Sequence, residues 1–315
     1  MKGVTMELRH LRYFLATARE GNMTRAAALC HVSQPALSRQ LADLERDLGC
    51  ELFLRGSRGV LLTDDGMLLR KRAEEIVALA DRAELELRAD GVLVEGDVWI
   101  GGGESRAMEV VARSTARLAK SHPNVRVHLY SGNYEDVTEH LDKGLLDFGV
   151  VVGRKAESRF ESFDLPWEDR WGVLMKRDHP LAGRASVSLD DLRGERLIVS
   201  AQRHEGQDAT GTGAERFTAL GLSVACAYTL LYNASLLVEQ GVGIAVCIDG
   251  IVPAGEGTPF TFVPIDGMES LKSRVIRKRF QPQSRACDLF LRVLREECGA
   301  KLARGASSRA VEKSM

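Results

Sequence analysis

The chain has 315 residues, of which 44% are hydrophobic and 28% charged, so it is long enough for two or three domains that each bury a core. Its formal net charge of −1 excludes a uniformly basic nucleic-acid binder, but residues 1–63 carry +3 and the remainder −4. The sequence contains no run of about 18 apolar residues and no apolar signal-peptide core, so we expect a cytoplasmic protein without membrane contact.

The first predicted elements are three helices, the last of which has two unlike faces. Gly21 ends a helix that begins near Met6, Asn22 caps a second helix, and Ser33 caps a third. One face of the third helix carries Leu37, Leu41, Leu44 and Leu48. The opposite face carries Pro35, Arg39, Ala42 and Arg46, with Gln34 and Ser38 on its flank. Since the leucines must be buried, the polar and basic side chains are presented as in a helix that enters a DNA major groove.

A β-hairpin is predicted after the third helix. Two short apolar segments, 51–55 and 60–63, surround a glycine-rich turn that carries Arg58, with Arg55 at its base. A basic hairpin beside a recognition helix is the wing of a winged helix-turn-helix, and its arginines would contact phosphates or the minor groove. The alternative for each arginine is a solvated surface charge.

A long helix is predicted over residues 64–90. Apolar residues recur in it at heptad spacing, at Leu69, Ala73, Ile76, Ala80, Ala83 and Leu87. This spacing predicts a dimerisation helix that links two domains, and the alternative is packing against its own domain. A dimer would place two recognition helices about one DNA turn apart, which suits a dyad operator in double-stranded DNA.

From Asp97 onward, predicted strands and helices alternate, which indicates an α/β domain that ends near Cys298. Ligands of such domains bind at the carboxyl ends of strands. The small and polar tail over 299–315 is expected to be disordered.

The quoted residues give the chain a close resemblance to LysR-type transcriptional regulators. The resemblance is carried in register by Leu11-Arg12-Tyr13-Phe14, Thr24-Arg25-Ala26-Ala27, Val32-Ser33-Gln34-Pro35-Ala36-Leu37-Ser38, Leu44-Glu45 and Leu62-Thr63. It is tight from Met6 to Gly66 and looser to Cys298. It implies a bacterial DNA-binding regulator, a dimer of dimers (homotetramer), that responds to a small-molecule effector and has RNA polymerase as a possible partner.

The resemblance also implies a fold and its boundaries. A winged helix-turn-helix domain would occupy residues 6–63, and the linker helix 64–90. An α/β effector domain similar to type 2 periplasmic binding proteins would occupy 91–298, with the ligand in a cleft between two subdomains. Subdomain I would comprise about 91–163 and 267–298, and subdomain II about 164–266.

The DNA contacts that the family resemblance implies lie on the third helix and its surroundings. Base contacts are expected from Gln34, Pro35, Ser38 and Arg39, phosphate contacts from Thr24 and Ser33, and wing contacts from Arg55 and Arg58. Gln pairs with adenine and Arg with guanine, each worth roughly 1–3 kcal/mol of discrimination.

Candidate effector-binding residues follow the strands of the second domain. They are Gly103, Glu104, Ser105, Ser131, Asn133, Ser200, Gln202, Arg203 and Asn233, of which Asn233 is expected to cap a helix. Glu104 would oppose a carboxylate ligand or favour a cationic one, or else cap a helix dipole outside the cleft. Arg203 would suit an anionic effector, or else lie on the surface.

The sequence also bears on three other functions, which are an enzyme, a redox sensor and a transport receptor. The Gly101-Gly102-Gly103 stretch fails the dinucleotide-binding pattern because Arg106 stands where a glycine is required, and no hydrolase or metalloprotease motif occurs, so we expect no enzyme and no cofactor. No cysteine or histidine spacing predicts a metal site. A redox sensor using the effector-domain cysteines Cys226 and Cys247 remains the main alternative, whereas the DNA-binding half argues against a transport receptor.

Overall fold

Amphipathic helices build the first of two units into which the chain divides, Met1–Asp90 and Gly91–Met315. The computed structural model describes residues 6–56, 59–88, 94–202, 213–281 and 283–312. The first unit contains α1 (Leu8–Glu20), α2 (Met23–Leu29), α3 (Gln34–Leu48), β1 (Phe53–Gly56), β2 (Gly59–Leu62) and α4 (Asp64–Arg88). These elements form the predicted helix-turn-helix with an antiparallel hairpin.

The leucine face of α3 is the centre of this unit. Leu37, Leu41 and Leu44 are at most 1% exposed and pack with Leu11 and Phe14 of α1. Burial of each such side chain contributes about 1.5–3 kcal/mol, so the hydrophobic effect fixes which face of α3 remains outside.

The hairpin is attached to the helices by backbone groups. Glu45 of α3 accepts hydrogen bonds at Oε1 from the backbone N–H groups of Leu52 (2.9 Å) and Phe53 (3.2 Å). On the other strand, the Val60 N–H donates to the Gly21 carbonyl at 2.9 Å. These bonds hold β1 and β2 beside α3, where a wing is required.

The second unit contains two five-stranded sheets. Its elements are β3 (Gly96–Gly102), α5 (Met108–Ser121), β4 (Val125–Ser131), α6 (Tyr134–Asp142), β5 (Phe148–Val152), β6 (Phe160–Asp169), β7 (Trp171–Lys176), a 3₁₀ turn (Asp190–Leu192), β8 (Arg196–Ser200), α7 (Gly213–Ala219), β9 (Ser223–Tyr228), α8 (Leu231–Glu239), β10 (Ile244–Ile248), β11 (Phe260–Pro264), β12 (Leu271–Lys278) and α9 (Arg285–Glu312). The α/β architecture that the alternation predicted is confirmed.

Each sheet defines one subdomain. The strand order is β4-β3-β5-β12-β6 in subdomain I and β11-β7-β10-β8-β9 in subdomain II. Strands β3, β4 and β5 run parallel to one another, as do β8, β9 and β10, so their carboxyl ends lie at one edge of each sheet. The chain passes between the sheets twice, at Arg170 and again between Pro264 and Leu271.

Two predicted boundaries differ from the structure. The first crossover was expected near residue 163, but β6 continues to Asp169 in the sheet of subdomain I. Pro166 lies in this part of β6 and is tolerated there, because β6 is an edge strand and its pairing with β12 is irregular at this point. The tail expected to be disordered over 299–315 is helical to Glu312, since Ala, Leu, Lys and Arg residues favour continuation of α9.

Candidate functional site

The outer face of α3 presents the predicted base-reading side chains. Gln34, Pro35 and Arg39 are exposed, and Ser38 is partly buried at the side of the helix. They share the first half of α3, whose inner face is fixed by the buried leucines. The structure therefore brings all four residues together on one accessible surface.

Caps order the helices that flank this surface. The Ser33 Oγ accepts from the Ala36 N–H at 3.4 Å, and the Asn22 Oδ1 accepts from the N–H groups of Thr24 (2.9 Å) and Arg25 (3.0 Å). Thr24 and Ser33 are both exposed at helix N-termini, where backbone N–H groups and the helix dipole favour a phosphate.

Of the two wing arginines, only the backbone of Arg55 lies within the described residues. Arg55 lies in β1 opposite Val60, and its backbone position places it on the hairpin. Arg58 falls outside the described residues, so its predicted role stays a prediction.

The heptad of α4 does not form one continuous exposed seam. Ala73 is fully buried and Leu69 packs partly into the core of its own unit, because α4 lies against α1. For Ala73 the dimer assignment is wrong, whereas for Leu69, which is only partly buried, it stays a prediction. Ile76 and Ala83 are exposed and Ala80 is partly buried, whereas the side chain of Leu87 is outside what the structure describes. The exposed apolar face also includes Leu68 and Leu79, which the heptad did not contain.

A cleft in the second unit lies where the two sheets meet. It is lined by Gly103, Glu104, Gly132, Asn133, Tyr134, Glu135, Val137, Val150, Val151, Val152, Arg154, Gln202 and Ile248. Thus Gly103, Glu104, Asn133 and Gln202 of the predicted set lie in it. Water can reach about 50 Å³ of this cleft.

Other predicted cleft residues are used elsewhere. Ser131 is exposed at the end of β4, and the Ser200 Oγ accepts from the Gln202 N–H at 3.2 Å. The Ser105 Oγ is buried without a hydrogen-bond partner among the described residues, and it does not line the cleft. Arg203 lies outside the described residues.

Asn233 does not cap a helix, contrary to the prediction. Because α8 begins at Leu231, Asn233 is an exposed residue of its first turn. The Leu231 N–H of subdomain II instead donates to Oε2 of Glu104 in subdomain I at 2.6 Å. Glu104 therefore lines the cleft and also accepts a hydrogen bond from the first N–H of α8. No local sequence pattern predicts this combination.

The sequence analysis missed a charged wall of the cleft. Arg154 donates to Oε1 of Glu135 at 2.9 Å, and its guanidinium lies 4.9 Å from the centre of the Tyr134 ring. Asn133 starts this segment by accepting from the Asp136 N–H at 2.8 Å. Tyr134 and Glu135 directly follow the helix-capping Asn133, which was already a cleft candidate, so their sequence position could have placed them near the cleft.

A cluster of acids and arginines lies at the first crossover. Asp249 accepts at Oδ1 from the Arg170 N–H (2.9 Å) and at Oδ2 from Arg106 (3.4 Å), so it joins the two subdomains. Asp169 is fully buried and accepts from the Ser273 Oγ at 3.0 Å. Burial raises the pKa of Asp169 to about 6; the Ser273 hydrogen bond opposes this rise, and the negative charge of Asp249 adds to it.

Comparison with known proteins decides between the possible families. Residues 8–67 match the bacterial regulatory helix-turn-helix proteins of the lysR family, and residues 93–299 match the LysR substrate binding domain. The chain belongs to the LysR family.

Several characterised and uncharacterised regulators share about 30% identity with the chain. A hydrogen peroxide-inducible genes activator of Pectobacterium carotovorum subsp. carotovorum is 30% identical over 199 residues, 63% of this chain, and the match spans about two thirds (66%) of that relative. The Escherichia coli K12 protein described as an uncharacterized HTH-type transcriptional regulator, YnfL, is 30% identical over 255 residues, 81% of each chain. The crystal structure of full-length CbnR complexed with its target DNA has a TM-score of 0.70 at 23% identity, covering 93% of this chain and all of that one, and it shows the same fold.

The similarity to a peroxide-responsive regulator makes the cysteines of this LysR-family chain relevant. Cys226 lies on β9 and Cys247 on β10, with β8 between them. Two strand spacings separate their Cα atoms by about 10 Å, whereas a disulfide needs less than about 7 Å. Cys247 is also buried, and this burial raises the pKa of its thiol. The geometry therefore disfavours a disulfide between these two residues.

Two further features bear on partners. No group of three or more His, Cys, Asp or Glu in the described part of the chain is placed to hold a metal ion. Likewise, none of the helices in the described ranges has the length and apolar character needed to cross a membrane.

Proposed function

We propose that this LysR-family chain is a sequence-specific DNA-binding transcriptional regulator, switched by a small molecule in the cleft of its second unit. The observation that carries the proposal is the two-faced α3. Its leucines are buried, while Gln34 and Arg39 are exposed near its N-terminus. An amide and a guanidinium in this position can each make bidentate contacts to a purine edge, worth about 1–3 kcal/mol of discrimination.

Neighbouring groups would position the helix on DNA. The exposed helix starts at Thr24 and Ser33 suit phosphates, and the hairpin bearing Arg55 and Arg58 suits the adjacent backbone or minor groove. Such contacts fix register without reading sequence, so they add affinity for all DNA.

Self-association would supply the symmetry of the operator. Leu68, Ile76 and Leu79 are 62%, 39% and 37% exposed on α4, and together with Ala83 they form an apolar face that a second copy could cover. A dimer of this kind presents two α3 helices to a dyad operator, and two dimers would form the tetramer. The crystal structure of CbnR on its target DNA supports a DNA partner by analogy. RNA polymerase is a further proposed partner.

The cleft would be the switch. A ligand that changes the closure of the two subdomains changes the angle between dimers, and with it the bend of the DNA. The energy for this change must come from a difference in the ligand's affinity for the two states. The proposed role is binding without catalysis.

Selection of genomic fragments with the purified full chain, at a stated salt concentration, tests this function. We expect a few enriched fragments that share an interrupted dyad. Uniform recovery of all fragments, with the same salt dependence for each, would show backbone binding alone and would contradict the proposal.

A further inference from the structure

Glu104 gives the cleft a charge preference of its own. We propose that Glu104 is a specificity-determining residue that makes the cleft select a small cationic ligand, an amine with a short aliphatic body, over a carboxylate. The inference rests on the proposed function, since it takes the cleft as the effector site.

The first argument is that the helix N-terminus that could bind an anionic ligand is already occupied by the Glu104 carboxylate. The N-terminus of α8 in subdomain II contacts Glu104, a residue of the cleft lining, and a helix N-terminus attracts a carboxylate or phosphate. Here the Leu231 N–H is already bound to Oε2 of Glu104 at 2.6 Å. An anionic ligand that bound the Leu231 N–H would have to displace the Glu104 carboxylate. Because Glu104 is part of the same site, the ligand would then lie next to its negative charge.

The second argument is the charge of the lining. Glu104 and Glu135 are its acids and Arg154 is its basic residue, so the lining carries a formal charge of −1. Arg154 is bound to Glu135 at 2.9 Å and stacked on Tyr134, so its charge is compensated within the wall. Within the described residues, only Oε2 of Glu104 accepts the Leu231 N–H, so Oε1 remains available to accept from a ligand.

The third argument is the size and polarity of the remaining surface. The apolar part of the lining is supplied by Val137, Val150, Val151 and Ile248. Water reaches only about 50 Å³ of the cleft, and a narrow cleft of this kind favours a slim aliphatic chain. A short alkylammonium ion could place its charged group at Glu104 and pack its methylene groups against the valines of the lining.

Probes of matched size test the charge preference in the full-length protein. The probes are n-propylammonium, propionate and n-propanol at equal concentration and ionic strength. Their dissociation constants are measured by ligand-observed NMR and checked by tryptophan-monitored melting. All three tryptophans, Trp99, Trp167 and Trp171, lie in the second unit, so the melting reports on the unit that holds the cleft. We expect propylammonium to bind at least about tenfold more tightly than propionate.

Variants separate charge from folding. Glu104→Gln keeps an oxygen acceptor for the Leu231 N–H but loses the charge, so it should reduce the amine-to-carboxylate ratio about tenfold. Glu104→Asp retains the charge and should retain the preference, and Glu256→Gln, at an exposed position of subdomain II, should change nothing.

Three results would overturn the inference: tighter binding of propionate to the unaltered protein, an unchanged ratio in Glu104→Gln, or no binding of either ion. Fragment selection on the same preparations distinguishes failure of the proposed regulator function from failure of the proposed ligand class. Enriched dyads with any of these three results would leave the regulator in place and reject only the ligand class.

Discussion

Replacement of the buried Asp169 should stabilise the second unit in a pH-dependent way. The Asp169 carboxyl lies at the first crossover, fully buried, with a pKa raised from 3.8 to about 6. Because the folded-state pKa exceeds the unfolded one, the folded protein binds the proton more tightly. The stability from this proton is present below about pH 4 and is lost as the pH rises through about 6.

The size of the effect follows from the pKa shift. A difference of about two pKa units corresponds to up to about 3 kcal/mol of unfolding free energy at neutral pH. Asp169→Asn removes the charge and keeps an oxygen that accepts from Ser273. It should therefore gain up to about 3 kcal/mol near pH 8 and almost nothing near pH 4.

Urea unfolding followed by tryptophan fluorescence measures this change, since all the tryptophans lie in the second unit. The control is Asp178→Asn, at a side chain that is 77% exposed, which should show no such pH dependence. A destabilised Asp169→Asn near pH 8, or an equal effect at both pH values, would refute the role of burial in raising this pKa.

Three further predictions concern the hairpin, its attachment and the cysteines. Gly66→Ala should destabilise the first unit and weaken DNA binding, because an added Cβ would lie 2.2 Å from the Leu52 carbonyl oxygen; wild-type amide-exchange protection in α1–α4 would contradict this contact. Glu45→Ala should leave two backbone N–H groups of the hairpin without an acceptor, at a cost of about 1–3 kcal/mol, seen as faster amide exchange there. Peroxide treatment should change the DNA affinity of the wild type no more than that of Cys226→Ser, and mass spectrometry of the oxidised wild type should find no Cys226–Cys247 peptide; detection of that peptide would revive the redox alternative.

The DNA-binding surface was largely predictable because its signals are local. Caps at Asn22 and Ser33 and the leucine period of α3 depend on residues within a few positions of one another, and the structure has both caps and the buried stripe. The alternation of the second unit was also predictable, since core strands such as Phe148–Val152 and Trp171–Lys176 are continuous apolar runs, which mark strands buried on both faces.

The missed elements share a physical cause. Strands β6, β9 and β11 are edge strands, which bury less surface and tolerate polar residues and proline, so their apolar pattern is weak. The Glu104 contact with Leu231 joins residues 127 positions apart, and no periodicity reports such a distance. Tertiary contacts of this kind determine which side chains line the cleft. The sequence alone therefore left open whether Glu104 lines the cleft or caps a helix outside it.

The central claim is that the outer face of α3 reads DNA sequence. The most direct measurement is the ratio of affinities for a selected operator and for random DNA, at one salt concentration, for the wild type, Arg39→Ala and Arg46→Ala. Arg46 is the matched control because it lies two turns along the same face and is 71% exposed. We predict that Arg39→Ala loses about 1–3 kcal/mol of specific binding while Arg46→Ala keeps the ratio. An unchanged ratio in Arg39→Ala would contradict the account.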